Sequence, residues 1–439
     1  MDQLKTGTLT KRQVAVSLVI IGMLFFVFGF VSWVNAVLIP YFRIACELSH
    51  FEAYLVTFAF YIAYLVMSVP SSYLIRRLGF KRGIMYGFWT MSIGALLFIP
   101  AAYLRAYPLF LSGLFTIGLG LAVLQTAANP YITLLGKPER AAQRISIMGI
   151  FNKGAGIIAP LALGAVVLKA NDGAIFSQLS GMDAVSKNLF LDQLIRRVVA
   201  PYALIAVLLF ILGLVVRLSP LPEIDTESED ERLSAQNATK SSIIQFPHLV
   251  LGAIAIFLHV GTQVIAVDTI IGYAESMKLS LLEAKVFPSF TLFATITGYI
   301  AGIILIPRWI SQLAALRACT VLGFLFAAGI LIMSGNTRFL GYDTDLSIWF
   351  VVLLGLANSL VWAGIWPLAL KDLGRYTKLG ASVMIMGLCG NAILPLIYGA
   401  LADHLSLRTA YVVLLPCYLY LIFYAFKGYK LRRWKSIHP

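Results

Sequence analysis

The feature that most constrains this chain is a series of long apolar segments, each bounded by polar or basic residues. Residues 14–42 contain no charged side chain, and the first one after them is Arg43. A helix that crosses the hydrocarbon core of a bilayer needs about 20 apolar residues. With 60% hydrophobic and only 12% charged residues, the chain carries too little charge to cover the exterior of a soluble fold. The sequence therefore predicts an all-α membrane protein.

Hydropathy and helix-breaking residues divide the chain into twelve predicted membrane spans. They cover residues 14–42, 51–75, 83–104, 107–135, 141–168, 197–219, 246–275, 281–306, 310–334, 346–371, 377–401 and 405–428. The first span follows Lys5, Lys11 and Arg12 but has no small-residue cleavage site. We therefore expect it to be a retained helix rather than a cleaved signal peptide.

Two connections between the predicted spans are longer than the others. Residues 169–196 form a polar loop, and residues 220–245 form an acidic, serine-rich linker. The linker divides the spans six and six. It predicts an N-terminal six-helix bundle over residues 1–219 and a C-terminal six-helix bundle, with a short basic tail, over residues 246–439.

The basic residues predict the orientation of the chain in the membrane. With both termini in the cytoplasm, the majority of lysines and arginines fall in cytoplasmic segments, as the positive-inside rule requires. The net charge of +14 is therefore explained by the loops and predicts no nucleic-acid partner. The four cysteines show no metal-binding spacing, so we expect free thiols and no disulfide framework.

An internal repeat relates the two halves. Residues 119–149 and 354–387 both begin with LGLA, contain a proline within the helix, cross a basic loop and end at a Met-Gly pair. Parallel repeats of this kind are typical of major facilitator transporters, in which two bundles rock around a site at their interface. The repeat therefore predicts a major facilitator fold with two pseudo-symmetric bundles and alternating access.

Two ionisable residues lie deep inside predicted spans. Lys153 is in the fifth span and Asp268 is in the seventh, so each bundle contributes one, with opposite charges. A charge at the bilayer centre is costly unless it has a partner or faces a cavity. We expect these residues to couple or gate transport with a cation. A static ion pair between the bundles is the structural alternative.

Side-chain amides and two tryptophans supply the other candidate site residues. The amides are Asn35, Gln125, Asn129 and Asn152 in the first half and Gln263, Asn358 and Asn391 in the second. Amides offer both donors and acceptors to sugar hydroxyls, although they also form hydrogen bonds between membrane helices. Trp362 and Trp366, one helical turn apart, favour contact with an apolar sugar face, or a place in the interfacial aromatic belt.

Several segments resemble a known family of sugar permeases. FAFYIAYLVMSVPSSYLIRRLGFKRG, LQTAANPYITLLG, RISIMGIFNKGAG and GASVMIMG are similar to the family that includes L-fucose/proton symporters and bacterial glucose/galactose transporters. WVNAVLIPYFRIACEL and the TAANP block look most like the glucose/galactose branch. The resemblance covers nearly the whole chain. It implies twelve helices and uptake of a hexose together with a cation.

The chain departs from the fucose branch at two membrane carboxylates. The family motif reads Asn-Asp in the first helix and begins with Glu in the fourth, whereas this chain has Asn35-Ala36 and Gln125. Neutral oxygen ligands can bind a hard cation but cannot carry a proton. The departure therefore favours Na⁺ over H⁺, bound near Asp268 or near Asn35, Gln125 and Asn152.

These observations predict a Na⁺-coupled hexose symporter of the glucose/galactose type in a bacterial inner membrane. It would act as a monomer and need no cofactor. A proton-coupled permease for fucose or an N-acetylhexosamine is the nearest alternative. A membrane-embedded enzyme acting on lipid-linked sugars is a distant one, since the 169–196 loop offers only Asp172, Asp183 and Asp192 and no histidine.

Overall fold

The computed structural model describes residues 11–134, 141–169, 172, 176, 179–219, 242–306, 308–373 and 376–434. Within these residues, 12 helical segments are long and apolar enough to cross a membrane. They are named spans 1 to 12 in chain order. The predicted all-α membrane fold is confirmed. The predicted linker at 220–245 lies largely outside the described residues, so the domain boundaries stay predictions.

Several spans consist of two helices separated by a short break. Spans 1 to 6 are Lys11–Trp33 with Asn35–Ala45, His50–Leu78, Phe80–Leu96 with Phe98–Leu104, Tyr107–Leu134, Ala141–Val167, and Ala184–Arg196 with Val199–Leu218. Spans 7 to 12 are Pro247–Asp268 with Ile270–Ser276, Leu281–Ala284 with Phe287–Leu305, Gln312–Ile332, Ser347–Asn358 with Val361–Leu370, Thr377–Met386 with Gly390–His404, and Thr409–Val413 with Leu414–Phe426. Three-residue 3₁₀ turns lie at Leu179–Gly181, Ile243–Gln245, Gly387–Cys389 and Gly428–Lys430.

The segment predicted as a polar loop at 169–196 is partly helical. Asp183 accepts a hydrogen bond from the backbone N–H of Ser186 and so caps the helix Ala184–Arg196, which is the first part of span 6. The hydropathy pattern did not predict this helix, because its sequence mixes polar with apolar residues and only Leu191, Leu194 and Ile195 are buried. Between spans 9 and 10, an antiparallel hairpin pairs Asn336–Phe339 with Tyr342–Asp345, which the hydropathy pattern did not predict.

Glycines allow two equivalent pairs of spans to approach closely. A Cβ atom on Gly29 in span 1 would collide with the carbonyl oxygen of Asn152 in span 5. A Cβ atom on Gly390 in span 11 would collide with the carbonyl oxygen of Phe257 in span 7. Spans 1 and 5 of one bundle correspond to spans 7 and 11 of the other. The same close contact therefore occurs in both bundles, as the internal repeat predicts.

The two bundles meet along spans 1, 2 and 5 on one side and spans 7, 8 and 11 on the other. Spans 5 and 8 are linked by the Ser289 hydroxyl, which donates to the carbonyl of Ile157 at 2.9 Å. Spans 2 and 11 pack through the rings of Tyr54 and Tyr398, whose centroids are 5.7 Å apart. Residues that face this interface can therefore be held by both bundles at once.

Candidate functional site

Four spans break next to a buried polar residue at the centre of the molecule. Asn35 follows the break in span 1, Asp268 precedes the break in span 7, Asn358 precedes the break in span 10, and Asn391 follows the break in span 11. At the breaks of spans 1 and 7 the backbone hydrogen bonds continue, from the Val34 N–H to the Phe30 carbonyl and from the Thr269 N–H to the Ile265 carbonyl, so these breaks are bends in the helix. These breaks place buried polar groups from both bundles within the membrane-spanning part of the fold.

Polar atoms of all four residues lack a hydrogen-bond partner within the described part of the chain. They are both amide atoms of Asn35, Oδ1 of Asp268, Nδ2 of Asn358 and Oδ1 of Asn391. Leaving one buried donor or acceptor unpaired costs about 1–3 kcal/mol. A ligand with several hydroxyl groups would satisfy such atoms.

Lys153 lies where the two bundles meet. Its ammonium nitrogen is 4.0 Å from the centroid of the Trp33 ring and donates to Oε1 of Gln263 at 3.2 Å. Trp33 in turn donates its indole N–H to Oδ1 of Asn152 at 3.3 Å. A cation over an aromatic face is stabilised by the ring quadrupole, especially where water is excluded. Span 1, span 5 and span 7 are thereby joined around one buried positive charge.

Asp268 contacts the opposite bundle at a different place. Its Oδ2 accepts a hydrogen bond from the Thr57 hydroxyl of span 2 at 3.1 Å. Within the described residues, Lys153 and Asp268 form no ion pair with each other, so the structure does not contain the static pair considered as an alternative. Each residue instead bonds to a neutral partner across the bundle interface.

Sequence reasoning missed His259, a second ionisable side chain in span 7. It is 1% exposed, interacts with the Asn358 side chain, is within electrostatic range of Lys153, and its Nδ1 has no partner among the described residues. The sequence could have indicated His259, because any ionisable residue within a membrane span is a candidate functional group. Trp33 was missed too, since tryptophans in membrane proteins are usually assigned to the interfacial belt.

The other predicted site residues are Gln125 and Asn129 in span 4 and Trp362 and Trp366 in span 10. Gln125 donates to the Tyr64 hydroxyl at 2.8 Å, so its amide is engaged within the first bundle. Asn129 lies in the helix of span 4, but its side chain is outside the described residues. The Trp362 and Trp366 rings stack with centroids 5.1 Å apart, and both are half-buried. They form one aromatic surface in span 10, directly after its break.

The bundles are in contact at the end of the molecule opposite the start of span 1, called the distal end below. There, Arg43 forms an ion pair with Glu275 at 3.7 Å. The Asp403 carboxylate accepts from the backbone N–H groups of His50 at 2.9 Å and of Phe51 at 2.8 Å. Arg43 also contacts the His50 imidazole. These residues are named the distal latch: Arg43, His50, Glu275 and Asp403.

Comparison with known proteins identifies the family. The model of the Major Facilitator Superfamily matches residues 21–387. The chain belongs to this superfamily. Its fold and its identity as a transport protein rather than an enzyme are thereby confirmed. The loop aspartates have structural roles: Asp172 pairs with Arg197, and Asp183 caps a helix.

Named relatives match almost the full chain. A protein named glucose/galactose transporter from Brucella abortus is 33% identical and covers 98% of each chain. A protein named L-fucose-proton symporter from Escherichia coli is 28% identical and covers 94% of this chain and 93% of the relative. A crystal structure of the major facilitator transporter FucP in the outward conformation superposes with a TM-score of 0.70 at 26% identity, over 94% of this chain and 98% of that one. The predicted resemblance to this group is confirmed.

Proposed function

We propose that the protein imports a hexose together with a cation by alternating access. The observation that carries the proposal is the set of unpartnered polar atoms at the breaks of spans 1, 7, 10 and 11. These atoms come from both bundles, so a bound polyol would contact both. The relatives named for glucose, galactose and fucose support a hexose as that polyol.

The sugar would lie between Asn35 of the first bundle and Asn358 and Asn391 of the second. Their free donors and acceptors match hydroxyl groups, which both donate and accept. The stacked rings of Trp362 and Trp366 offer a surface for the apolar face of a pyranose ring. Most of the binding energy would come from satisfying the buried amide atoms that have no partner among the described residues.

Asp268 is the proposed binding site of the coupling cation. Asp268 is buried and has no basic partner among the described residues, so its charge requires compensation, which either a proton or Na⁺ can supply. Sodium, favoured by the missing carboxylates at Ala36 and Gln125, stays a prediction. Two observations favour the proton. The fucose relatives are named proton symporters, and the Thr57 hydroxyl is the side-chain ligand seen at Asp268, whereas a hard metal cation takes several oxygens.

The placement in the cell is also part of the proposal. The distribution of basic residues supports a bacterial inner membrane with both termini in the cytoplasm and the distal end outside. The distal latch would then close the external path. We propose that one chain is the transport unit, because the site is built from spans of a single chain.

Uptake by purified protein in liposomes tests the proposal. Radiolabelled glucose, galactose, fucose and N-acetylglucosamine would be supplied under a Na⁺ gradient or a pH gradient. We expect gradient-driven accumulation of at least one hexose. The gradient that drives it identifies the cation.

Substitution of the carboxylate tests the coupling role. Asp268→Asn should abolish accumulation while retaining exchange of sugar across the membrane, because only the cation site is lost. Asp343→Asn is the matched control, since that carboxylate is 80% exposed in the hairpin. Absence of uptake of every sugar would refute the transport assignment, and normal accumulation by Asp268→Asn would refute the coupling site.

A further inference from the structure

We propose that His259 and Asn358 together recognise two neighbouring hydroxyl groups of the sugar and thereby determine which hexose epimer is transported. This inference rests on the proposed function and assigns one part of its site. His259 comes from span 7 and Asn358 from the break in span 10. Both side chains are 1% exposed and each has an unpartnered polar atom among the described residues.

The orientation of the Asn358 amide is fixed by its surroundings. Its Oδ1 accepts from the Tyr418 hydroxyl at 3.1 Å, and the Thr262 hydroxyl lies 3.3 Å from the same oxygen. The carbonyl side of the amide is therefore used within the bundle. Its Nδ2 has no hydrogen-bond partner among the described residues and is left as a donor.

His259 is held next to this donor. The Thr262 hydroxyl donates to the backbone carbonyl of His259 at 2.7 Å, one turn along the same helix. The imidazole interacts with the Asn358 side chain of its own bundle and is within electrostatic range of Lys153 of the opposite bundle. Its Nδ1 can accept or donate, depending on the tautomer. The pair thus presents one fixed donor and one adaptable group.

Two neighbouring hydroxyls match such a pair, since one can accept from Asn358 while the other bonds to His259. Epimers differ by the inversion of one hydroxyl, which moves its oxygen away from one of the two partners. The wrong epimer then leaves a buried hydrogen-bonding group unpaired, which weakens its binding. Sites built around a substrate hydroxyl strongly reject analogues that lack this hydroxyl. His259 is accordingly a specificity-determining residue.

Transport competition with sugar analogues tests this assignment. The wild-type protein, His259→Phe and His259→Asn would be compared for the best transported hexose, its epimers and its monodeoxy derivatives. For the wild type, removal of one recognised hydroxyl should weaken apparent affinity about 10- to 100-fold, the effect of one unpaired buried group. His259→Phe should bind the parent sugar and that deoxy analogue equally. His259→Asn should keep part of the discrimination.

A matched control separates recognition from structural damage. Thr320→Val removes a buried hydroxyl in span 9, which donates to the Arg317 carbonyl at 3.0 Å, and should leave the analogue pattern unchanged. Equal weakening of all analogues by both His259 variants, or an unchanged pattern, would overturn the assignment. If the wild type transports no sugar, the proposed function itself fails. If transport persists and discrimination does not depend on His259, only the present inference fails.

Discussion

The distal latch makes a quantitative prediction about the equilibrium between open and closed states. Asp403 of span 11 bonds to two backbone N–H groups at the start of span 2. An anion at a helix N-terminus is favourable by about 0.3–1 kcal/mol, and a hydrogen bond to a charged group contributes about 1.5–3 kcal/mol. Asp403 is exposed, so the lower ends of these ranges apply. Asp403→Asn removes the charge and one of the two acceptor oxygens.

We therefore expect Asp403→Asn to destabilise the closed distal end by about 1–2 kcal/mol, which changes the ratio of open to closed molecules about 5- to 30-fold. Spin labels on cysteines introduced at Val185 and Leu405 would report this ratio. Both side chains are at the distal end, one on each bundle, and they are 69% and 58% exposed. Pulsed electron resonance should show a larger population at long distance in the variant.

Asp343→Asn serves as the control, because it removes an exposed carboxylate at the same end of the molecule without changing a contact between the bundles. Identical distance distributions for the wild type and Asp403→Asn would refute the reasoning. A shift of equal size in Asp343→Asn would also refute it, since the effect would then come from surface charge alone.

Three further predictions concern other contacts. Arg43→Glu should raise the open population at the distal end, and the added change Glu275→Arg should restore closure in the same distance measurement; failure to restore it would exclude the ion pair as the cause. Gly390→Ala should cost about 1–3 kcal/mol through overpacking and lower the thermal midpoint, whereas Gly272→Ala, with open space around its Cβ position, should not; equal midpoints would contradict the close contact. Burial raises the pKa of the Cys46 thiol to about 11, so maleimide labelling followed by peptide mass spectrometry should be slow at pH 7 and speed up as pH rises; rapid labelling at pH 7 would contradict this.

The membrane spans were predictable because hydropathy depends on composition over about 20 residues, and tertiary contacts change it little. The helix breaks beside Asn35 and Asn358 were not, because no proline or glycine stands at those positions. Such breaks depend on packing between spans. The residue types of the candidate site were predictable as well. Polar and ionisable side chains are energetically costly inside a membrane, so those present are candidates for function.

The partners of those residues required the structure. Opposite charges on Lys153 and Asp268 suggested a pair, but five residues separate Asp268 from Gln263, the actual partner of Lys153. Five residues rotate a helix by about 140°, so these two side chains leave span 7 in different directions. Helical periodicity alone shows that Gln263 and Asp268 point in different directions. The position of span 5 decides which of these two residues contacts Lys153.

The two contacts across the bundle interface differ in depth, and this difference supplies a route to coupling. Asp268 lies about 7.5 Å further toward the distal end than Gln263, given the rise of a helix over five residues. Its partner Thr57 is two turns from His50, in the same span that Asp403 holds. Separation of spans 1 and 2 from spans 7 and 11 at the distal end would break the distal latch and remove the Thr57 hydroxyl from Asp268. The bond from Lys153 to Gln263, which joins spans 5 and 7, does not depend on span 2. Opening would thus change the surroundings of the carboxylate and leave Lys153 bonded to Gln263, so that the proposed cation binding at Asp268 would respond to the motion proposed to admit the sugar.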